Sequence, residues 1–206
     1  PDGTLTYALE GAIFVTGSAV QWLRDGLGII ENASETEEMA LSVPNSAGVV
    51  FVPALTGLGA PDWDPNARGA IFGLTRGATA AHVVRATLEA IAFEVRDVVD
   101  VMVNEADVEL PRLTVDGGAA ANNFLCQVQA DQVRVPVVRS EILETTGLGA
   151  AFLAGLGTGF WPNKEELAKS WRSDRTFEPG DRDEQAHRRW RVAVERTKNW
   201  ATAASK

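Results

Sequence analysis

The sequence predicts an α/β fold in which helices flank a central sheet. Short apolar runs alternate with segments whose apolar residues recur at steps of three and four, and this alternation is typical of the class. The 206 residues are 45% hydrophobic and 23% charged, which suits one ample globular domain or two small ones. A chain of this length can bury a sizeable core.

The first part of the chain predicts one strand and two helices. The apolar stretch 6–15 predicts a strand, although its alternation is poor. Residues 16–30 predict a helix that ends at two glycines. Residues 34–43 predict a short helix with Ser34 as its cap, because carboxylates fill the first turn, where the helix dipole favours them.

The middle of the chain predicts two strands followed by the longest helix. Residues 48–55 read as a buried strand, and 70–74 as a second, shorter one. Between them, 56–69 is rich in Gly, Pro and Asp and predicts a loop. Residues 79–106 carry a wide apolar face and predict a well-buried helix.

The last part repeats the alternation. A helix of Gly, Ala and Leu is expected at 145–161, where another backbone could approach closely, and 162–181 predicts a linker. Two further strands are expected at 112–115 and 135–139, and two further helices at 119–133 and 183–201. The last of these helices is amphipathic.

The composition excludes several classes of partner. A net charge of −9 leaves no electrostatic footprint for nucleic acid or an anionic membrane. Cys126 is the only cysteine and there are two histidines, so no internal disulfide forms and a metal site built from Cys or His is not expected. With no apolar run long enough for a membrane span and no signal peptide, a cytoplasmic location is predicted. Because the chain opens without Met and soon enters an apolar stretch, we expect a piece of a longer protein.

The stretch "VDGGAAANN" at 115–123 is the first candidate ligand site. A strand, two glycines and a helix start put backbone amides at a helix N-terminus, which favours an anion such as phosphate. Gly117 and Gly118 would let a ligand approach the backbone, and Asn122 and Asn123 could offer amides to a base or ribose. The alternative is that the glycines only permit a tight corner.

Gly17 and Gln21 are spaced like Gly118 and Asn122, with a small residue followed one turn later by an amide. Two such pairs could grip a nucleotide from two sides, whereas Gln21 alone reads as an ordinary exposed residue. Neither nucleotide-binding consensus is present: the chain has no Gly-Lys dipeptide, and no Gly-x-Gly-x-x-Gly follows the strand.

Other polar residues favour structural roles. Glu89 lies near the buried side of its predicted helix, and Arg85 one turn earlier is a candidate partner. His82, near the start of the same helix, suits capping or exposure better than a role as a base. In the loop 56–69 the charged residues could pair locally or contact a partner domain, with local structure favoured: Asp62, Asp64 and Arg68.

Five stretches together resemble the FGGY carbohydrate kinases. "GAIFGLTRGATAAHVVRATLE" (69–89) is similar to a signature of that family, and within the family the glycerol kinases resemble this chain over three further stretches: 7–25, 52–77 and 113–131. With "GLGAAFLAGLGTGFW" (147–161), the resemblance covers nearly everything up to about residue 161.

The resemblance implies an actin-like (ribonuclease-H-like) α/β fold with a central mixed sheet flanked by helices. It implies that 1–206 is the C-terminal nucleotide-binding domain, with an amphipathic helix at 183–201, and that ATP or ADP with Mg²⁺ is the cofactor. The family's nucleotide contacts fall on four positions: Gly17, Gln21, Gly118 and Asn122.

The same resemblance places the rest of the machinery elsewhere. The family's base aspartate and its polyol-binding residues lie in an N-terminal domain upstream of Pro1, so no residue here, Asp116 included, inherits a catalytic role. Glycerol would bind through that domain, and the full-length enzyme would be a homo-oligomer. The chain departs from common family choices at Asp62, Ala120 and Cys126. Two alternatives stay open, namely another sugar kinase, for xylulose or gluconate, and a non-catalytic actin-like interaction domain.

Overall fold

The computed structural model describes residue 5 and residues 7–203. Over these residues helices and short strands alternate, which confirms the α/β class. A 3-10 helix of four residues, called the 3-10 turn below, spans Gly118–Ala121. The helices are α1 (Gly17–Asp25), α2 (Glu35–Leu41), α3 (Ala80–Ala106), α4 (Asn123–Val133), α5 (Thr145–Thr158), α6 (Lys164–Ala168), α7 (Glu184–Thr197) and α8 (Trp200–Ala203). The strands are β1 (Val50–Val52), β2 (Ala70–Phe72), β3 (Leu113–Val115), β4 (Val137–Ser140) and β5 (Ser173–Phe177).

These strands form two small sheets. In the first, β1 and β2 pair antiparallel with Phe51 opposite Ile71. In the second, β4 is central, with β3 parallel to it on one side and β5 antiparallel on the other. The predicted mixed sheet is therefore present, and the pair β1–β2 lies apart from it.

The long helix α3 organises the core. Thr79 and His82 form a capping box at its start, in which the Thr79 amide donates to the His82 ring over 3.1 Å. The capping interpretation of His82 is thus confirmed. Further along, Val84, Leu88 and Ile91 are buried against residues of α1, α2 and α4. This packing gathers the three helices on one side of α3.

A second cluster attaches α7 to the strand pair. Trp190 is 2% exposed and packs with Val52, Phe93 and Val194. Its indole Nε1 donates to the Phe51 carbonyl over 3.1 Å, so the ring contributes a hydrogen bond as well as apolar burial. The C-terminal helix is therefore an integral part of the fold.

The predicted strand at 6–15 is wrong. Residues 7–15 are irregular, and Thr6 lies outside the described residues. The Ala60 amide donates to the Ala12 carbonyl over 2.8 Å, but no neighbouring strand in the described part provides a ladder for this stretch. Apolar residues alone do not make a strand when no partner strand is adjacent.

The predicted linker 162–181 is also wrong, because it contains α6 and β5. Strand β5 escaped prediction since Phe177 is its only buried residue, so an apolar pattern could not reveal it. The predicted helix 183–201 is interrupted, because Asn199 takes a left-handed conformation with φ 57°. The Asn199 amide there donates to the Asp64 carboxylate over 2.7 Å.

Ser34 precedes α2 but does not cap it with its side chain. The Glu35 carboxylate instead accepts the amides of Glu31 and Asn32, at 3.2 and 2.9 Å. These hydrogen bonds, that of Glu31 foremost, lower the pKa of Glu35. The loop before α2 is thereby tied to the first turn of the helix.

Helix α5 differs from the others in its surroundings. It is the Gly-, Ala- and Leu-rich segment predicted from the sequence, yet none of its residues is buried. Leu153 is 73% exposed, and Phe160, just beyond the helix, is 75% exposed. No helix of the described chain is long and apolar enough to cross a membrane.

Candidate functional site

A cavity of about 660 Å³ lies between α1, α2 and the 3-10 turn with the start of α4. All four residues predicted as nucleotide contacts line it. The four are Gly17, Gln21, Gly118 and Asn122. Among the other lining residues, Ser34, Thr36 and Glu37 belong to α2 and its N-cap, and Val20, Leu88 and Leu125 belong to the core. Two segments separated by about a hundred residues in the chain thus meet at one cavity.

The glycines of the two pairs keep the cavity open. A Cβ atom added to Gly118 would meet no other atom within 4 Å, and one added to Gly17 would first meet the Ala119 side chain at 3.9 Å. Gly117 has φ +80°, a conformation that favours glycine, and its amide donates to the Leu143 carbonyl over 2.8 Å. Gly117 therefore makes the turn, while Gly118 leaves space.

Gln21 stands exposed at the rim. Among the described residues its side chain has no hydrogen-bond partner, so the amide is available to a ligand. One turn later, Arg24 also lines the cavity and pairs with Asp25 over 2.7 Å. The hydrogen bond from Arg24 lowers the pKa of Asp25.

Asn122 occupies a different position from the one predicted. The sequence places it one turn into a helix, but it is the N-cap of α4, because a 3-10 turn precedes the helix. Its Oδ1 accepts the Leu125 amide over 2.9 Å, and its Nδ2 donates to the Thr36 hydroxyl over 3.0 Å. Gly118 and Asn122 therefore do not share one α-helical face, although both line the cavity. One N–H of the amide remains for a ligand.

Asn123 does not line the cavity. Its backbone amide donates to Glu37 Oε2 over 2.7 Å and its side-chain amide to Glu37 Oε1 over 2.9 Å. Helix α2 thereby forms a wall that the sequence interpretation missed. The missed residues are Thr36 and Glu37, and the only signal was their polarity inside a short helix, which the dipole argument already explained.

The floor of the cavity is apolar. It is made by Val20, Leu88 and Leu125, each less than 9% exposed. An apolar floor with hydrogen-bonding groups at its rim suits a flat, partly polar ligand such as a nucleobase, and the open glycines leave room for its phosphates. The stretch "VDGGAAANN" thus both makes a tight corner and lines a cavity, and its interpretation as a ligand cradle stays a prediction.

The remaining polar candidates have structural roles. Arg85 pairs with Glu89 over 2.8 Å, as predicted, and burial raises the pKa of Glu89. Asp62 is bound by Arg191 and by Lys198, at 2.8 and 2.7 Å, so this loop residue contacts the C-terminal segment. Arg68, by contrast, pairs locally and donates to the carbonyls of its own loop.

Asp116 follows β3 and accepts a hydrogen bond from the Thr145 hydroxyl at the start of α5. The described residues contain no group of three or more His, Cys, Asp or Glu side chains arranged to hold a metal ion.

Residues 2–158 match the C-terminal domain of the FGGY family of carbohydrate kinases. The chain is 56% identical to glycerol kinase 2 of Thermotoga maritima over 202 residues. The aligned residues make up 97% of this chain and 41% of that protein. It is 59% identical over 204 residues to the glycerol kinase of Aromatoleum aromaticum, with 98% and 41% covered. The chain thus spans about two fifths of the length of these relatives.

Solved structures give the same result. The crystal structure of Plasmodium falciparum glycerol kinase with ADP superimposes with a TM-score of 0.79 at 35% identity, over 90% of this chain and 37% of that one. A ligand-bound xylulose kinase of Lactobacillus acidophilus follows with a TM-score of 0.69 at 25% identity, over 92% and 37%. The expected actin-like α/β fold is confirmed. The chain belongs to the FGGY family of carbohydrate kinases.

Proposed function

We propose that this chain is the nucleotide-binding, C-terminal domain of a kinase that transfers the γ-phosphate of ATP to glycerol. The observation that carries the proposal is the cavity of about 660 Å³, in which the four predicted nucleotide contacts meet. The choice of glycerol is supported by the 56–59% identity to proteins named glycerol kinase, against 25% to a xylulose kinase.

In this proposal the nucleotide base lies on the apolar floor. Gln21 and the free N–H of Asn122 contact it from the two sides of the cavity, while Gly17 and Gly118 allow the ribose and phosphates to approach the backbone. Such contacts position the donor, and positioning with charge stabilisation is most of what phosphoryl transfer requires.

The reaction itself joins this domain to a second one. The primary hydroxyl oxygen of glycerol attacks the γ-phosphorus, the bond from that phosphorus to the bridging oxygen of ADP breaks, and the hydroxyl proton passes to a base. The base and the glycerol pocket are assigned to the part of the longer protein that this chain does not contain. Closure of the two parts would exclude water, which could otherwise accept the phosphoryl group.

Three further features belong to the proposal. Mg²⁺ is expected to bind together with ATP, through the ATP phosphates. A cytoplasmic location is supported by the use of ATP and by the free, buried thiol of Cys126. A homo-oligomer of the full-length enzyme stays a prediction, which light scattering of that enzyme would test.

Calorimetric titration of this chain with ADP and Mg²⁺ tests the site. The variant Gly118→Val adds side-chain atoms where the fold leaves open space, so it should stay folded and lose ADP binding by about tenfold or more. The matched control is Gly157→Val in α5, where an added Cβ also meets nothing within 4 Å and which does not line the cavity. Equal ADP affinity in the wild type and both variants would contradict the assigned site.

A second measurement tests the division of labour. The purified chain should produce no ADP from ATP in a glycerol-dependent manner, because it lacks the residues assigned to the base and the glycerol pocket. Robust glycerol-dependent turnover by this chain would refute that part. Competition among glycerol, xylulose and gluconate in the full-length enzyme decides the substrate.

A further inference from the structure

Arg139 lies behind the wall of the cavity. It is in β4, its side chain is only 12% exposed, and it is not among the residues that line the cavity. Its guanidinium nevertheless reaches the 3-10 turn that carries Gly118. This residue played no part in the sequence interpretation, since an arginine at the end of a short strand has no distinctive pattern.

The guanidinium collects acceptors at the end of the 3-10 turn. Nη1 donates to the carbonyls of Ala120 and Ala121, at 3.0 and 3.2 Å, and approaches Asn123 Oδ1 at 3.1 Å. The last carbonyls of a helix have no intrahelical donor, and in a 3-10 helix of four residues this applies to most of the carbonyls. Arg139 satisfies two of these carbonyls with a charged donor, which makes stronger hydrogen bonds than a neutral one.

The guanidinium is itself fixed. The Asp174 carboxylate on β5 lies 2.6 Å from Nε and 2.5 Å from Nη2, and the guanidinium carbon lies 5.5 Å from the centre of the Phe177 ring. The Asp174 pair directs Nη1 toward the turn, because the planar fork has one orientation when two of its nitrogens are held. Lysine has a single ammonium on a flexible stem and cannot reproduce this arrangement.

The opposite side of the same segment is held by α2. Glu37 binds the amides of Asn123, and Thr36 accepts the Asn122 side chain. The junction between the 3-10 turn and α4 is therefore clamped between α2, which faces the cavity, and Arg139, which does not.

We propose that Arg139 is a positioning residue, which sets the place of Gly118 and Asn122 for nucleotide binding by holding the carbonyls of the 3-10 turn. The inference rests on the proposed function, because the ligand whose binding it supports is the nucleotide. Arg139 acts through the backbone of the turn and does not touch the ligand.

The experiment compares Arg139→Ala, Arg139→Lys and Asp174→Ala with the wild type of this chain. Calorimetry gives the Kd for ADP with Mg²⁺, urea titration gives the stability, and ¹⁵N spectra without nucleotide give the amide shifts of Gly117 and Gly118. Asp174→Ala is a second test, since it keeps the guanidinium but removes the ion pair that directs Nη1 toward the turn. The matched control is Arg188→Ala, which removes an exposed arginine of α7 that does not line the cavity.

We expect Arg139→Ala and Arg139→Lys to raise the Kd by about tenfold or more and to move both glycine amide signals. Asp174→Ala should raise the Kd in the same direction but by less than Arg139→Ala, whereas Arg188→Ala should change the Kd by less than about threefold. Millimolar guanidinium chloride, far below denaturing concentrations, should restore binding and the amide shifts in Arg139→Ala, because the ion can occupy the vacated space. A purely structural role would not give that rescue.

Several results would overturn the inference. ADP binding by Arg139→Ala equal to that of the wild type overturns it while leaving the proposed function intact. Loss of affinity without movement of the glycine signals and without guanidinium rescue overturns it as well. No ADP binding by the wild type would instead refute the proposed function, and the inference would fall with it.

Discussion

Glu94 on α3 should make the chain less stable as the pH rises. Its Oε2 atom is sealed from solvent, and in the described part of the chain it has no hydrogen-bond partner. It lies at a small void with Asp62 and Asp97, whose carboxylates are themselves bound by Arg191. Burial, and then the charges of Asp97 and Asp62, raise the pKa of Glu94 from 4.5 to about 8.

The sign follows from where the proton is held. Between 4.5 and about 8 the folded chain keeps the Glu94 proton, whereas the unfolded chain has lost it. The contribution of protonated Glu94 to the unfolding free energy is therefore fully present below pH 4.5. It falls by about 1.4 kcal/mol per pH unit as the pH rises toward about 8. Over the whole window the loss is on the order of 5 kcal/mol.

The substitution Glu94→Gln keeps the shape of the side chain and removes the titration. Urea denaturation from about pH 5 to about pH 9 would give the unfolding free energy of both proteins. Their difference should move in favour of the variant by about 1.4 kcal/mol per pH unit up to about pH 8 and then level off. Glu38→Gln, on the exposed side of α2, is the control and should show no such trend. A pH-independent difference between Glu94→Gln and the wild type would refute the reasoning.

Two other predictions concern buried groups. Burial raises the pKa of the Cys126 thiol to about 11, so iodoacetamide at about pH 8 should alkylate the native chain far more slowly than the chain in urea. Rapid alkylation of the native chain would contradict this. Arg85→Met should cost about 3 kcal/mol at neutral pH, because it leaves the largely buried Glu89 without its arginine partner and removes donors to the carbonyls of Ala40 and Val43. That cost should shrink at acidic pH, where Glu89 becomes neutral. Urea titrations at two pH values would measure the cost, and a cost that does not change with pH would contradict the reasoning.

The sequence predicted elements well where an element buries its own periodic face. Helix α3 is the best case, since its apolar residues recur with helical spacing and a Thr-His cap precedes them. Strand β5 is the opposite case, because it is held by backbone pairing with β4 and leaves four of its five side chains exposed. Backbone pairing leaves no mark on side-chain hydrophobicity, so the stretch read as a linker.

Prediction of the site had a similar limit. The glycines of two separate segments suggested two halves of one cradle, and the fold places both at one cavity. The contribution of α2 could not be foreseen, since Thr36 and Glu37 reach Asn122 and Asn123 only through tertiary packing. The position of Asn122 was missed for a local reason, because nothing in "GGAAANN" distinguishes a 3-10 turn from the first turn of an α-helix.

Helix α5 has a consequence for how this chain opens. A helix with no fully buried side chain gains less from the rest of the fold than α3 does, and short isolated helices are only marginally stable in water. We therefore expect α5 to unfold locally while α3 and the strands stay closed. In hydrogen exchange the amides of Thr145–Thr158 should exchange early, and low concentrations of urea should change their exchange rates little. The amides of α3 should exchange only when the whole chain unfolds. The chain would then comprise two cooperative units, and its global unfolding free energy would describe only the larger one.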